Sequence, residues 1–142
     1  MELADLEAVT LIEHQSTPHG WSKKIFEQSL KSNCCVVLQG ENYPHLLGFC
    51  VLQKIVDELH LLNICIAKEY QQRGWGQTLL NGIIAVAKDS NFQDIHLEVR
   101  ISNLAARNLY HNTGFNDVGI RENYYSSESG REDALQMCYS IF

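Results

Sequence analysis

The sequence lacks most features of membrane, secreted and nucleic-acid-binding proteins. No apolar run approaches the roughly 20 residues of a membrane-spanning helix, and the first residues lack the basic-then-apolar order of a secretory signal. The 17 acidic residues outnumber the 11 basic ones, which gives a net charge of −6. An acidic protein disfavours nonspecific nucleic-acid binding and suits a basic partner. We therefore expect a cytoplasmic protein that binds neither membranes nor nucleic acids directly.

Residue patterns typical of metal sites are also missing. The five cysteines form no C-x-x-C pair and lie mostly in apolar, strand-like runs, which is typical of buried free thiols in a reducing compartment. The six histidines are scattered along the chain, and no two have ligand spacing on one predicted helix. We therefore predict no metal site, and zinc in particular is not expected.

The composition is that of an ordinary globular domain, with 45% hydrophobic and 20% charged residues. Residues 1–142 are long enough to bury a core and are predicted to form one domain. The alternation of helical and strand patterns predicts an α/β fold with a central mixed sheet flanked by helices. Helices are predicted after the cap Asp5 and over 22–30, 74–89 and 103–112, with Ile25, Phe26 and Leu30 on the buried side of the second. Strands are predicted over 33–39, 46–56, 59–66, 95–99, 115–120 and 134–141, with a polar loop at 122–133.

One stretch combines a buried strand, a glycine-containing turn and a helix. The strand 59–66 leads through a polar turn to Arg73-Gly74-Trp75-Gly76, and a helix with a periodic apolar face follows. The free N–H groups and the dipole at a helix start favour an anion, and glycines let a pyrophosphate come close. The dinucleotide fingerprint fails because Leu79 replaces its third glycine, and the triphosphate loop fails because Gln77 follows Gly76.

A second stretch, Leu97 to Asn103, carries a carboxylate in a short apolar strand. Strand periodicity puts Leu97 and Val99 on one face and Glu98 and Arg100 on the other. A lone glutamate in this setting more often points to solvent or pairs with Arg100 or a lysine than takes part in catalysis. The helix that follows carries Tyr110, for which core packing with a satisfied hydroxyl is the corresponding structural interpretation.

Together these segments carry a family resemblance. Gln71-x-x-Gly74-x-Gly76 resembles the acetyl-CoA pyrophosphate loop of the Gcn5-related N-acetyltransferase (GNAT) family. Nearly the whole chain is similar to the RimI-type members, which acetylate the N-terminal alanine of a small-subunit ribosomal protein. The matching segments are Leu97-Glu-Val-Arg-Ile-Ser-Asn103, Leu109-Tyr110 with Gly114-Phe115, Arg121-Glu-Asn-Tyr-Tyr125 and Gly130-Arg-Glu-Asp-Ala134, and Pro18-His-Gly-Trp-Ser22 is a counterpart of the family's early loop.

The resemblance implies an enzyme that transfers the acetyl group of acetyl-CoA directly to the N-terminal alanine amine of a basic ribosomal protein, within a ternary complex. Glu98 would be the general base and Tyr110 the general acid. An α-amine with a pKa near ~8 must lose a proton before it attacks, and the departing thiolate must gain one. The peptide would lie between the loop around Trp21 and a loop carrying Tyr124 and Tyr125. The implied acetyl-CoA contacts are the backbone of Ile64, Cys65 and Ile66 for the pantetheine arm, Gln71, Gln72, Arg73, Gly74, Trp75 and Gly76 for the pyrophosphate, and Asn103.

Some features depart from the family pattern, and alternatives stay open. The family's first strand precedes the first helix, but only residues 1–4 are available here, so we expect that strand to be short or absent. Cys65-Ile66 replaces the more usual Ala-Val.

Other functions stay open from the sequence. The acetyl acceptor could instead be another peptide N-terminus, a lysine or a small amine, and a CoA-binding module without turnover is a further possibility. Cys65 as an acetylated nucleophile is a rival mechanism, although no base is evident near it in sequence.

Overall fold

The computed structural model describes residues 1–142 and contains four α-helices and six β-strands. The helices are α1 (Leu6–Ser16), α2 (Lys23–Ser32), α3 (Trp75–Asp89) and α4 (Leu104–Thr113). The strands are β1 (Cys34–Leu38), β2 (Gly48–Ile55), β3 (Glu58–Ile66), β4 (Asp94–Arg100), β5 (Asn116–Ser127) and β6 (Gly130–Ser140). Short 3₁₀ turns cover Leu3–Asp5 and Lys68–Tyr70. None of the helices combines the length and the apolar character that crossing a bilayer requires.

The strands form one six-stranded mixed sheet in the order β1-β2-β3-β4-β6-β5. β1 and β2 are an antiparallel pair in which Cys34 faces Leu52. β3 and β4 run parallel, with Leu61 beside Leu97. β6 lies antiparallel to both β4 and β5. The α/β fold with a central mixed sheet, predicted from the alternation of helical and strand patterns, is therefore confirmed.

The chain folds into two compact units, Met1–Gln53 with Leu62–Asn81, and Lys54–Leu61 with Gly82–Phe142. The core of the first unit comes mainly from the apolar faces of α1 and α2 and from β2. In it, the rings of Phe26 and Phe49 meet edge to face with centroids 5.2 Å apart. The buried residues of this core are Leu6, Val9, Ile12, Phe26, Phe49, Val51 and Ala67.

In the second unit, the alternation of β4 separates a core face from a polar face. Ile95, Leu97 and Val99 are buried, and the residues between them are half-buried. After β4, α4 carries the buried Tyr110 and ends at Gly114, whose φ of 118° is the left-handed conformation of a helix cap. The polar face of β4 is where the predicted catalytic carboxylate lies.

Some local predictions were wrong. The predicted polar loop 122–133 is mostly strand, since β5 continues to Ser127 and β6 begins at Gly130. Its polar residues belong largely to an exposed strand at the edge of the sheet, where polar composition does not indicate a loop. Ile25 is 41% exposed, and Ser29 takes a buried place on α2 instead.

Asp5 precedes α1 as predicted, but its carboxylate accepts from the Glu2 backbone N–H rather than from the helix. No strand precedes α1, in agreement with the expectation.

Candidate active site

Glu98 lies on the polar face of β4, and its side chain is 25% exposed. Its neighbours Leu97 and Val99 point into the core, which fixes the side of the sheet that Glu98 faces. The sequence predicted this orientation correctly. The partners of the carboxylate come from β5, which pairs with β6 rather than with β4.

The first partner of Glu98 is Arg121, whose Nε donates to Oε1 at 2.8 Å. In the sheet register, Arg121 pairs with Ala134 of β6, and Ala134 pairs in turn with Arg100 of β4. The short side chain of Ala134 leaves room for the guanidinium to reach diagonally across β6. Arg121 thereby places a positive charge against the carboxylate.

Tyr124 is the second partner, and its hydroxyl donates a hydrogen bond to Glu98. The guanidinium of Arg121 also lies 5.3 Å from the centre of the Tyr124 ring, within the range of a cation–π contact. Burial and the negative charge of Glu98 raise the pKa of Tyr124. Its phenol therefore keeps its proton at neutral pH and remains a hydrogen-bond donor to the carboxylate.

An irregularity in β5 brings these two partners together. The pairing with β6 shifts between Arg121 and Tyr125, and Asn123 within the shift has a φ of 53°. Its backbone N–H donates to Asp133 Oδ1 at 2.9 Å, which holds the distorted segment to β6. Bulges of this kind re-aim side chains, so Tyr124 and Tyr125 lie on a distorted strand and not on the predicted loop.

Arg100 binds a different carboxylate, so the pair with Glu98 that was one of the structural alternatives does not form. Its Nη1 donates to Glu132 Oε1 at 3.0 Å, and its guanidinium lies 4.5 Å from the centre of the Tyr125 ring. Hydrogen bonds from Ser102 and Arg100 hold the pKa of Glu132 below its usual range. Burial and the charge of Glu98 raise the pKa of Tyr125 to about 12. Glu132 thus links Arg100 of β4 to the Ser102 backbone N–H in the loop before α4.

Tyr110 and Asn103 both lie at α4. Tyr110 is only 6% exposed and its ring lies 5.7 Å from that of Phe115, so core packing is part of its role. Asn103 is the helix N-cap, and its Oδ1 accepts from the Ala106 backbone N–H at 3.2 Å. That bond satisfies one of the free N–H groups of the helix start, so Asn103 has a structural function whatever else it binds.

The predicted pantetheine strand lies in the first unit. β3 pairs with β4 over Glu58–Leu61, and the half-buried residues 64–66 come after that segment. Gln71 Nε2 donates to the carbonyl of Ile66 at 2.9 Å and reaches Ser16 Oγ at 3.5 Å. The side chain of Gln71 therefore ties the predicted pyrophosphate loop to the end of β3.

The glycine loop itself is exposed over residues 71–74. Gly74 has a φ of +88°, and a Cβ added there would meet nothing within 4 Å. Its carbonyl accepts the Thr78 N–H at 3.0 Å, which is the first turn of α3. The ring of Trp75 lies 5.7 Å from that of Tyr43, which anchors the helix start. The loop thus presents a helix N-terminus in open space, a geometry suited to an anion.

Comparison with known proteins identifies the family. The acetyltransferase (GNAT) family profile matches residues 2–115. The [ribosomal protein bS18]-alanine N-acetyltransferase of Escherichia coli K12 is 36% identical over 99% of this chain and 95% of its own length. The protein of the same name from Haemophilus influenzae is 41% identical over 98% of this chain and 95% of its own length. The chain belongs to the acetyltransferase (GNAT) family.

The structure of this GNAT protein agrees with that assignment. The crystal structure of the ribosomal-protein-S18-alanine N-acetyltransferase from Escherichia coli matches it with a TM-score of 0.91 and 35% identity, covering 99% of this chain and 90% of that one. The family resemblance, the fold and the class of enzyme predicted from the sequence are confirmed. As a GNAT acetyltransferase, the protein uses acetyl-CoA as its co-substrate.

The thiol of Cys65 is poorly suited to act as a nucleophile in this GNAT acetyltransferase. Burial, with a further contribution from the charge of Glu13, raises its pKa to about 11. At pH 7, four units lower, about one such thiol in 10,000 is ionised, and the thiolate is the reactive form. The rival mechanism through an acetylated cysteine is therefore disfavoured.

Glu13 is a buried carboxylate to which the sequence assigned no chemistry. It is 4% exposed and accepts from the Trp21 backbone N–H at 3.2 Å and from Asn63 Nδ2 at 2.5 Å. The signal for its burial was its spacing after Val9 on the apolar side of α1. Glu13 joins α1, the Trp21 loop and β3 inside the first unit.

Proposed function

We propose that this protein acetylates the α-amine of the N-terminal alanine of ribosomal protein bS18, with acetyl-CoA as the acetyl donor. Relatives of that name are 36% and 41% identical over nearly the whole chain. The observation that carries the proposal is the half-buried Glu98 carboxylate, held by Arg121 and Tyr124 on the polar face of β4. A fixed carboxylate is what deprotonation of an amine requires.

Acetyl-CoA is proposed to bind at the first unit. The backbone of Ile64, Cys65 and Ile66 would accept the pantetheine arm as an added strand. The N–H groups at the start of α3 would hold the pyrophosphate, where the positive end of the helix dipole adds to the attraction. The residues proposed for that loop are Gln71, Gln72, Arg73, Gly74, Trp75 and Gly76, and Asn103 is proposed as a further contact.

Proton transfer is proposed to involve two residues. An α-amine with a pKa of about 8 is largely protonated at neutral pH, and Glu98 accepts its proton, directly or through a water. The free amine then attacks the thioester carbonyl, the attacking nitrogen gives up its second proton to water, and the carbon–sulfur bond breaks. Tyr110 donates its phenolic proton to the departing CoA thiolate and is reprotonated by water, and Glu98 returns its proton to solvent. Acetyl transfer is direct, without an acetylated enzyme.

We propose one domain over residues 1–142 and no direct contact with nucleic acid or membranes, in keeping with the net charge of −6. The five free cysteines, of which Cys34 is exposed, support a reducing compartment such as the cytoplasm. The acidic protein would attract a basic ribosomal protein electrostatically.

Release of CoA from acetyl-CoA with two basic peptides tests the function. One peptide starts with a free alanine and has no lysine, and the other has a blocked N-terminus and several lysines. We expect turnover on the first peptide only. Glu98→Gln and Tyr110→Phe should each lower kcat about 10²- to 10⁴-fold, the usual contribution of a general acid or base.

Matched substitutions distinguish catalysis from damage to the fold. Glu128→Gln, in the exposed turn after β5, and Tyr139→Phe, at a half-buried ring in β6, should leave kcat unchanged. Turnover on the lysine peptide alone would make the protein a lysine acetyltransferase. Binding of acetyl-CoA without turnover on either peptide or on a small amine would contradict the catalytic proposal and indicate a binding module.

A further inference from the structure

Two histidines on neighbouring strands lie side by side in the second unit. β3 and β4 pair in a register that sets His60 opposite His96 and Glu58 opposite Asp94. Because residues two apart on a strand share a face, these four side chains lie on the polar face of the sheet. The two imidazole rings are stacked, with centroids 5.0 Å apart and planes inclined by 21°.

Both imidazoles direct the same ring nitrogen at one carboxylate. His60 Nε2 lies 2.8 Å from Glu58 Oε2, and His96 Nε2 lies 3.5 Å from Glu58 Oε1. In a tetrahedral zinc site with metal–ligand bonds of about 2.0–2.1 Å, the ligand atoms lie roughly 3.3 Å apart. The two histidine-to-carboxylate distances lie on either side of that spacing, and one donor atom from each of the three side chains lies within 4.8 Å of the others, so side-chain adjustment alone would bring them to a common cation.

The exposure of this cluster suits an exchangeable ion. The side chains of His60 and His96 are each 29% exposed and that of Glu58 is 40% exposed. The three side chains are partly open to solvent, while the strands hold the two imidazoles in place. Two imidazoles and a carboxylate are ligands that zinc accepts at sites with an open position for water.

We propose that Glu58, His60 and His96 bind a divalent transition-metal cation of the zinc type, with water completing the coordination. The cluster includes neither Glu98 nor Tyr110, although His96 lies two residues before Glu98 on the same face of β4, and the proposal does not depend on acetyl transfer. It revises the expectation of no metal site, which considered histidine pairs on one helix. His60 and His96 become neighbours only through the parallel register of two strands.

A second set of donors shares His96 but is less well arranged. Cys138 Sγ lies 4.0 Å from His96 Nε2, and Asp94 Oδ1 already accepts from Ser140 Oγ at 3.0 Å. Because His96 Nε2 binds one ion at a time, the two sets compete. The shorter distances favour the set with Glu58 and His60.

Titration of the tag-free, chelator-treated chain with Zn²⁺ and with Co²⁺ tests the site. All proteins carry Cys34→Ser, which removes the exposed thiol. Calorimetry and the visible absorption of Co²⁺ should show one ion per chain, and Zn²⁺ should raise the melting temperature. His60→Gln and His96→Gln should weaken binding at least about tenfold, since even residues that only hydrogen-bond to metal ligands contribute that much.

His111→Gln is the matched control, because His111 also faces a carboxylate, Asp117 at 2.6 Å, but is not in this cluster. It should bind Zn²⁺ like the parent. Circular dichroism of the metal-free proteins checks their folding, and the half-exposed Glu58→Gln repeats the test if a histidine variant is unfolded. Equal affinity in all variants, or no stoichiometric uptake, would overturn the proposal. So would a thiolate-to-cobalt band that Cys138→Ser abolishes and His60→Gln preserves.

Discussion

Glu98 illustrates how far a single residue can be interpreted without the fold. Alternation along β4 is enough to put its side chain on the face opposite Val99. The same alternation does not predict the partners of its carboxylate, because Arg121 and Tyr124 come from β5, which pairs with β6 and not with β4. Arg100, one of the partners that the sequence left open for Glu98, binds Glu132 instead.

Cys65→Ala tests the direct mechanism at the level of one residue. We expect the variant to keep the kcat of the parent, because a thiol with a pKa of about 11 supplies almost no thiolate at neutral pH. Steady-state CoA release from acetyl-CoA with the alanine peptide measures this. Loss of turnover in a correctly folded variant, together with an acetylated parent enzyme in intact-mass spectra, would establish the covalent route instead.

At the scale of elements, Asn103 at the N-terminus of α4 caps the helix and is also a proposed contact of acetyl-CoA. Two substitutions at this position distinguish the two roles. Asn103→Ala should lower the free energy of unfolding by about 1 kcal/mol, since it removes the cap bond to the Ala106 N–H. Asn103→Ser keeps a capping oxygen and should retain most of that stability. Urea denaturation of the two variants and the parent gives the comparison.

The same two variants test whether Asn103 contacts acetyl-CoA. If Asn103 contacts the co-substrate, Asn103→Ser should raise the KM for acetyl-CoA while its stability stays near that of the parent. An unchanged KM in Asn103→Ser would limit Asn103 to its capping role. Asn103→Ala alone cannot make this distinction, because loosening α4 disturbs the neighbouring structure as well.

The β5–β6 hairpin shows why an element can be misjudged from composition. Residues 122–133 are rich in charged and polar side chains, which favours a loop when the segment is considered by itself. In the fold, β5 is an edge strand with most side chains in solvent, so polar residues cost it little. The bulge that aims Tyr124 at Glu98 has no local sequence signal comparable to a glycine or proline.

For the whole molecule, we predict that stability falls in alkaline solution. Burial raises the pKa of Cys50 to about 12 and that of Cys65 to about 11, from an ordinary 9.0. The folded state therefore holds protons that the unfolded chain releases above pH 9. This stability is fully present below pH 9 and is lost as the pH rises toward 11–12, by on the order of 1 kcal/mol per thiol and pH unit.

Urea denaturation between pH 8 and 11 measures this dependence. Cys65→Ala and Cys50→Ala should each show a shallower decline than the parent, whatever their stability at pH 8. Cys34→Ser, at an exposed thiol, should decline as steeply as the parent. Identical slopes in all four proteins would show that the buried thiols do not control alkaline unfolding.

The sequence by itself determined the succession of helices and strands, the glycine-containing turn that opens α3, where we propose an anion binds, and the face that Glu98 occupies. These depend on hydrophobic periodicity, helix-terminus electrostatics and the two-residue repeat of a strand, all of which act over a few neighbouring residues. The family resemblance added the chemistry, which spacing alone left open.

Only the tertiary structure decided which distant side chains meet. Arg121 reaches Glu98, Glu13 bonds Asn63, and His60 stacks on His96 because strand order and register bring separate segments together. A shift of one residue in that register would turn each side chain to the opposite face of the sheet. The register is fixed by the packing of the whole core, and no local stretch of sequence encodes it.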